Sequence, residues 1–261
     1  MLLNRGNNAS ITARRLRNWR KDKQRARISG RLRFIVEVMV AHEDEVMSDA
    51  IRVGLIGYGY ASKTFHAPLI SGTPGMALST VVSSDAQKVL VDWPATQVAA
   101  SANSLYANPD IDLIVIPTPN DTHFPLARAA LEAGKHVIVD KPFTVTLSQA
   151  RELDAIARSR GRLLSVFHNR RWDSDFLTLK ALIAAGDLGE VSYFESHFDR
   201  FRPQVRDRWR EEGGPGSGIW YDLGPHLLDQ AVNLFGLPVS IAVDLAQQRP
   251  GAQATDYFHA V

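Results

Sequence analysis

Residues 51–62 read Ile51-Arg-Val-Gly-Leu-Ile-Gly57-Tyr-Gly59-Tyr-Ala-Ser62. Ile51, Val53, Leu55 and Ile56 pass from alternating to continuous apolar character, the pattern of a parallel strand buried on both faces. Three small residues follow at fixed offsets. Gly57 permits a tight turn out of the strand, Gly59 has no side chain to keep a pyrophosphate from the backbone, and Ser62 lets the next helix pack close. Ser62 stands where Gly or Ala is usual. The phosphates of a dinucleotide then meet free N–H groups and the positive dipole end at the helix start. A Gly-x-Gly alone also describes an ordinary turn. Its place between a strand and a helix-like run, Ala61 to Ile70, is what points to a dinucleotide site.

The 261 residues, 45% of them hydrophobic, suffice for two modest domains with real cores. The sequence has no cysteine, which excludes disulfides, thiolate metal sites and cysteine nucleophiles. No apolar run reaches the length of a membrane span, and a cytoplasmic location is expected. Residues 1–46 carry eleven of the 30 Lys and Arg but only five of the 28 Asp and Glu. The basic excess belongs to this leader and the body is mildly acidic, so a nucleic-acid function would rest on the leader alone. The leader fits an Arg-rich presequence, a basic arm, or a translated upstream region with Met47 as the true start. Met47-Ser-Asp-Ala-Ile runs straight into the first strand, which favours the third. Residues 1–46 are expected to be poorly ordered or peripheral.

Downstream, Lys63 to Ile70 continues the first helix and Met76 to Ser83 reads as a second strand. Its tip, Ser83-Ser84-Asp85 with Lys88 one turn on, bears on the cofactor. A carboxylate at this point holds the 2′-hydroxyl of NAD; hydroxyls with a nearby cation accommodate the 2′-phosphate of NADP. Ser83, Ser84 and Lys88 favour NADP. Asp85 keeps NAD open, and it is also suited to cap the helix from Ala86. Ile111 to Ile116 is a buried strand ending in Pro117-Thr-Pro119-Asn120. Ligands of open parallel sheets collect at such carboxyl ends, so Pro119, Asn120 and His123 are candidate cofactor contacts. The plainer reading makes Asn120 a turn residue and His123 a first-turn helix residue. Phe124 to Ala133 reads as a helix and His136 to Val139 as a strand that delivers Asp140-Lys141-Pro142 to the same edge. A helix over Thr146 to Ser159 and a strand over Leu163 to Phe167 close this first domain. Lys141, fixed between a buried strand and a proline, is the first candidate for chemistry, although most lysines are simply exposed.

In the second half, His168-Asn169-Arg170-Arg171 leads into a helix over Asp173 to Ala185. Val191 to Phe201 alternates as a half-buried strand should. Pro203 to Gly218 is polar, basic and Gly-rich, hence a loop of the kind that covers sites. Asp222 to Phe235 has a helical apolar face, with Pro225 placed near its first turn. Asp222 and His226 are four apart and share a face, with Asp229 on roughly that side. His226 is read either as a satisfied core histidine or as a chemical group. With no further ligand cluster, no metal is expected. Val239 to Gln247 and Thr255 to Val261 read as two more strands.

Taken together, Gly57-x-Gly59, Thr118-Pro119-Asn120-x-x-His123, Ala129-Ala130-Leu131-Glu132-Ala133-Gly134-Lys135-His136-Val137 and Asp140-Lys141-Pro142 resemble the glucose–fructose oxidoreductase / inositol dehydrogenase / rhizopine-catabolism (Gfo/Idh/MocA) family of NAD(P)-dependent oxidoreductases. Gly216-Ser-Gly-Ile-Trp-Tyr-Asp222-Leu-Gly-Pro-His226-Leu-Leu-Asp229 resembles its second signature. Asp140 replaces the usual Glu, and Ser217 interrupts the usual glycine triplet. The resemblance covers about residues 50 to 261 and implies an α/β fold: a Rossmann-type doubly wound parallel sheet over residues 47–168, then a substrate and oligomerisation domain over 169–261. The latter would be an α+β domain with an open, mostly antiparallel sheet, here incomplete. The family continues with more strands and a closing helix, so a truncated product or fragment is expected, and the homo-oligomer of a full-length relative is in question.

The resemblance implies hydride transfer between NADP, or NAD, and a secondary alcohol or ketone of a sugar, inositol or related polyol. Lys141 would stabilise the reacting oxygen, His226 would act as acid and base, and Asp222 would orient substrate or His226. Asn169 and Arg170 are further substrate contacts. The alternative is a non-catalytic nucleotide-binding regulator, since the resemblance extends to a galactose-pathway repressor, or an inactive truncated homologue.

Overall fold

The computed structural model describes residues 50–261; the reading of the basic leader and of Met47 as the start lies outside them. Six strands form one parallel sheet: β1 (Ile51–Ile56), β2 (Met76–Val82), β3 (Gln97–Ala99), β4 (Leu113–Ile116), β5 (His136–Asp140) and β6 (Leu164–Phe167). Their order is β3-β2-β1-β4-β5-β6, so the chain moves outward from β1 in one direction and then in the other. The reversal leaves a crevice at the carboxyl ends of β1 and β4, where doubly wound sheets take their ligands.

The strands hold this position because both faces are apolar. On one face Ile56, Ile114, Ile116, Val137 and Val139 pack with Ala127, Leu131 and Leu153 of α4 (His123–Glu132) and α5 (Leu147–Arg160). On the other, Val53, Leu55, Val81, Leu113 and Val115 pack with Ile70 of α1 (Ala67–Gly72) and Val89 of α2 (Ala86–Asp92). Alternate residues of β4 serve opposite cores, as the two-residue period of a strand requires. A short α3 (Asn103–Ala107) completes the wrapping, and its Leu105 is buried in the first cluster. Neither β3 nor α3 was anticipated from the sequence.

Past β6 the chain makes a 3-10 turn (Asn169–Trp172), then α6 (Ser174–Ala185), a long irregular stretch, α7 (Gly218–Phe235) and an antiparallel pair, β7 (Val243–Ala246) with β8 (Tyr257–Ala260). Two expectations are corrected here. Val191 to Phe201 is not a strand. Its alternation is present, but no described strand pairs with it, and without a ladder an alternating segment stays irregular. The last helix begins four residues earlier than expected, at Gly218, so Pro225 lies inside it rather than in its first turn.

The loop-to-helix junction after β1 is also less regular than its sequence suggests. Before α1 the helix is widened into a π turn over Ser62–His66. Such turns shift the facing of side chains by a fraction of a turn and are frequent at functional sites.

Candidate functional site

The glycine loop is built as its residues require. Gly57 has φ +89°, a left-handed conformation that a side chain would strain. A Cβ placed on Gly59 would meet no atom within 4 Å, so the space above it is open. Ser62 is fully buried, and its hydroxyl donates to the Gly57 carbonyl at 2.8 Å. The serine at the third small position therefore closes the loop on itself. Beside this loop a cleft is lined by Gly57, Tyr58, Ser83, Ser84, Asp85 and Lys88. These features fit a dinucleotide: an open approach to backbone at the phosphates, with polar groups where the ribose would lie.

At the tip of β2, Asp85 is engaged. Its carboxylate accepts from the Lys88 backbone N–H at 3.1 Å, and its own N–H donates to the Ser83 hydroxyl at 3.1 Å. It caps α2, and the Ser83 hydroxyl is tied into the same turn, donating to the Asp85 carbonyl at 2.9 Å; Tyr58, Ser84 and Lys88 are the cleft's other polar residues.

The turns after β4 and β5 are locked together from behind. His123 is fully buried, with Nδ1 2.8 Å from the Pro142 carbonyl and Nε2 2.9 Å from the Thr118 carbonyl. It braces the two turns rather than presenting a ring to the crevice. Asn120 donates to the Gly216 carbonyl at 2.7 Å, tying the turn that follows Pro119 to the Gly-rich loop ahead of α7.

Lys141 leaves β5 toward α7. Its Nζ donates to the Asp222 carbonyl at 2.6 Å and lies 3.3 Å from the Asp222 carboxylate. Pro225 explains part of the fit. It has no N–H for the carbonyl four residues back, which loosens the ladder at this turn, and the neighbouring carbonyl is the one Lys141 takes. The lysine side chain is only 13% exposed. Burial lowers its pKa, against the opposing pull of Asp222.

Asp222 is crowded by cations. Besides Lys141, Arg200 lies at 3.5 Å and Arg210 at 3.7 Å. Burial, the largest influence on its carboxyl, raises the pKa, but Lys141, Arg210 and Arg200 outweigh it and hold the group below the usual carboxylate range. One turn on, His226 is 6% exposed and its Nδ1 has no hydrogen-bond partner among the described residues. Burial first, then the charges of Lys141 and Arg170, push its imidazole down to about 3. The imidazole is therefore neutral and a weak base in this environment, placed beside a held ammonium and a carboxylate where a proton could pass only as the charge around it changes.

The remaining candidates lie around this core. Asn169 and Arg170 sit in the 3-10 turn after β6. Arg170 pairs with Asp173 at 2.9 Å and stacks on Phe198 at 4.8 Å. Asp229, two turns beyond Asp222 on the same helix, binds Arg171 through both carboxylate oxygens, with His168 at 3.8 Å.

Three neighbours were not singled out by sequence. His66, projected inward by the π turn, lies 3.8 Å from the Asp140 carboxylate and against the Phe167 ring at 4.4 Å. Asp140 itself accepts from the Lys141 backbone N–H at 2.8 Å, so the shorter acid steadies the lysine's backbone. Arg200 and Arg210 belong to a stretch with five arginines in eleven residues, a density that is the one signal the sequence offered for them.

Comparison with known proteins agrees with this layout. Residues 51–168 match the family model described as the oxidoreductase family, NAD-binding Rossmann fold, and residues 176–261 match the GFO/IDH/MocA C-terminal domain. An uncharacterized oxidoreductase of Escherichia coli is 79% identical over 215 residues, which are 82% of this chain and 62% of that protein. The scyllo-inositol 2-dehydrogenase (NADP(+)) of Bacillus subtilis is 39% identical over 81% of this chain and 59% of its own length. The solved structure of an oxidoreductase from Yersinia pestis is 69% identical with a TM-score of 0.76, covering 81% of this chain and 60% of that one. The chain thus spans between 59% and 62% of the length of these relatives.

Proposed function

The chain belongs to the Gfo/Idh/MocA oxidoreductase family, and from that premise we propose that it transfers a hydride between NADP and a secondary alcohol or ketone of a sugar, inositol or related polyol in the cytoplasm. In this reading residues 47–168 hold the dinucleotide and residues 169–261 supply the substrate side. The observation that carries it is the contact of Lys141 with Asp222 beside the buried, unpartnered imidazole of His226.

The bound dinucleotide supplies the hydride acceptor or donor. Gly57, Gly59 and Ser62 hold its phosphates, while Ser83, Ser84 and Lys88 meet the ribose. Backbone of the Pro119–Asn120 turn, braced by His123, borders the same crevice. Lys141 donates a hydrogen bond to the reacting oxygen and stabilises alkoxide charge as it develops. His226 accepts the hydroxyl proton in oxidation and returns it in reduction. Asp222 fixes the ammonium of Lys141 and keeps it charged. Asn169 and Arg170 orient the rest of the polyol. NADP is preferred because Asp85 is occupied as a helix cap, whereas Lys88 offers a cation to a 2′-phosphate.

The test is a thermal-shift titration with NADP(H) and NAD(H), followed by turnover on a polyol panel. A ligand at about a hundred times its Kd stabilises by about 2.7 kcal/mol. NADP(H) is expected to give the larger shift, and Lys88→Ala to erase its advantage over NAD(H). Lys141→Ala is expected to keep the cofactor shift and lose about 10²–10³ in kcat, the scale of one lost oxyanion donor. Full turnover by Lys141→Ala would sink the mechanism. Cofactor binding with no turnover by the unaltered chain would favour the regulator.

A further inference from the structure

Next to Asp222 lies a cavity of about 240 Å³. Its charged lining is five arginines against three carboxylates. Four of these groups neutralise one another. Arg249 binds Asp256 at 2.8 Å and Glu211 at 3.0 Å, and Arg208 binds Glu211 at 2.7 Å. That wall is balanced and serves to shape the cavity.

The rest is not balanced. Arg200 and Arg210 share Asp222, at 3.5 and 3.7 Å, with Lys141 already at 3.3 Å. Three cations therefore surround one carboxylate. Arg202 also lines the cavity and has no carboxylate within 4.0 Å among the described residues. Its cation is disfavoured by burial and then by its neighbours Arg200, Arg206 and Arg208. Like charges held together at a partly enclosed wall repel one another and attract an anion, and field lines focus into such clefts.

The donor set also selects by chemistry. A neutral polyol needs donors and acceptors in comparable number, because each hydroxyl is both. Guanidinium offers donors only. Its planar fork matches the paired oxygens of a carboxylate or phosphate.

We propose that the substrate carries an oxyanion, a carboxylate or a phosphate, seated against Arg202, Arg200 and Arg210, with its reacting hydroxyl turned toward Lys141. This deepens the oxidoreductase reading above and rests on it for the identity of the reacting group. The shared requirement is a small polyol with one acidic end.

The proposal is tested by calorimetric titration of the full chain, saturated with NADP⁺, with D-glucuronate, D-glucose 6-phosphate and D-glucose. At least one acidic probe is expected to bind at least tenfold more tightly than glucose, and which one does identifies the oxyanion. Arg202→Gln should weaken that probe at least tenfold and leave glucose unchanged within twofold. The Arg202 backbone carbonyl, which receives Arg249 at 3.3 Å, is untouched by this change. Arg206→Gln, an arginine of the same loop outside the cavity lining, is the control and should have little effect. Equal binding of acid and neutral probes, no binding of any probe, or equal losses in the Arg202 and Arg206 variants would each overturn the proposal. The comparison of probes on the unaltered chain decides it even if a variant does not fold. Turnover is read separately: an acid that binds through Arg202 but is never oxidised sinks the reaction assignment and leaves the anion site standing.

Discussion

His226 is where burial and chemistry meet in a single side chain. Its imidazole is pushed down to about 3 by burial and by nearby Lys141 and Arg170, whereas an unfolded histidine titrates near 6.5. The folded value is the lower one. Between about pH 6.5 and 3 the unfolded chain binds a proton that the folded chain refuses, so this group lowers stability as pH falls through that window. It contributes up to about 1.4 kcal/mol per pH unit and nothing further above about 6.5. Asp222 and Asp140 are held below the usual carboxylate range and titrate mainly beneath it. His168, also lowered by burial, acts in the same direction, so the difference between proteins is what reports on His226. Thermal melts from pH 7.5 to 4.5 are expected to show a steep fall for the unaltered chain and a shallower one for His226→Asn. Parallel slopes would remove His226 from this account.

At the scale of elements, α7 depends on its first residue. Gly218 has φ +86°, and a Cβ there would sit 2.8 Å from the Thr255 carbonyl oxygen. The same junction is held by Gly218 N–H to Arg210 at 2.8 Å and Ile219 N–H to Thr255 at 2.7 Å. Gly218→Ala is expected to destabilise the chain by about 1–3 kcal/mol, the range for a residue forced into such backbone, measured by denaturant melts. A melt within error of the unaltered chain would contradict it. This junction also shows why sequence misplaced the helix start. Pro225 suggests a first turn near Asp222, but the start is set by Thr255, thirty-seven residues away in sequence. The sheet was legible because β1, β4 and β5 are apolar on both faces, and Lys141 was legible because such a strand aims it. The three residues of β3 and five of α3 carry too little pattern to read. The alternation of Val191 to Phe201 reported a side-chain period and could not report a pairing partner. His66 was hidden because its inward aim comes from a π turn, which has no sequence period of its own.

Across the whole molecule, order should follow packing. The residues of β1, β4 and β5 lie between two apolar clusters, whereas residues 190–217 have no helix or strand. Amide exchange is slowest where opening demands global unfolding and fastest where local opening suffices. Hydrogen exchange followed by mass spectrometry is expected to find the slowest peptides in the central strands and the fastest over residues 190–217. NADP⁺ should slow exchange first in the Gly57 loop and at Ser83 to Lys88. An anionic polyol should slow it in the arginine stretch. Slow exchange throughout residues 190–217 without ligand would contradict this division.

Lys141 and Asp222 are 81 residues apart in sequence. During synthesis the lysine leaves the ribosome well before the carboxylate that fixes it, and before the imidazole one turn further on. A nascent chain arrested between them has already made every strand of the parallel sheet except β6, or all six if it stops beyond Phe167. Such a chain already contains every residue that lines the nucleotide cleft, and Lys141, but not Asp222. In the proposed reading, the residues that would hold the coenzyme are thus encoded earlier along the message than the full set that would act with it.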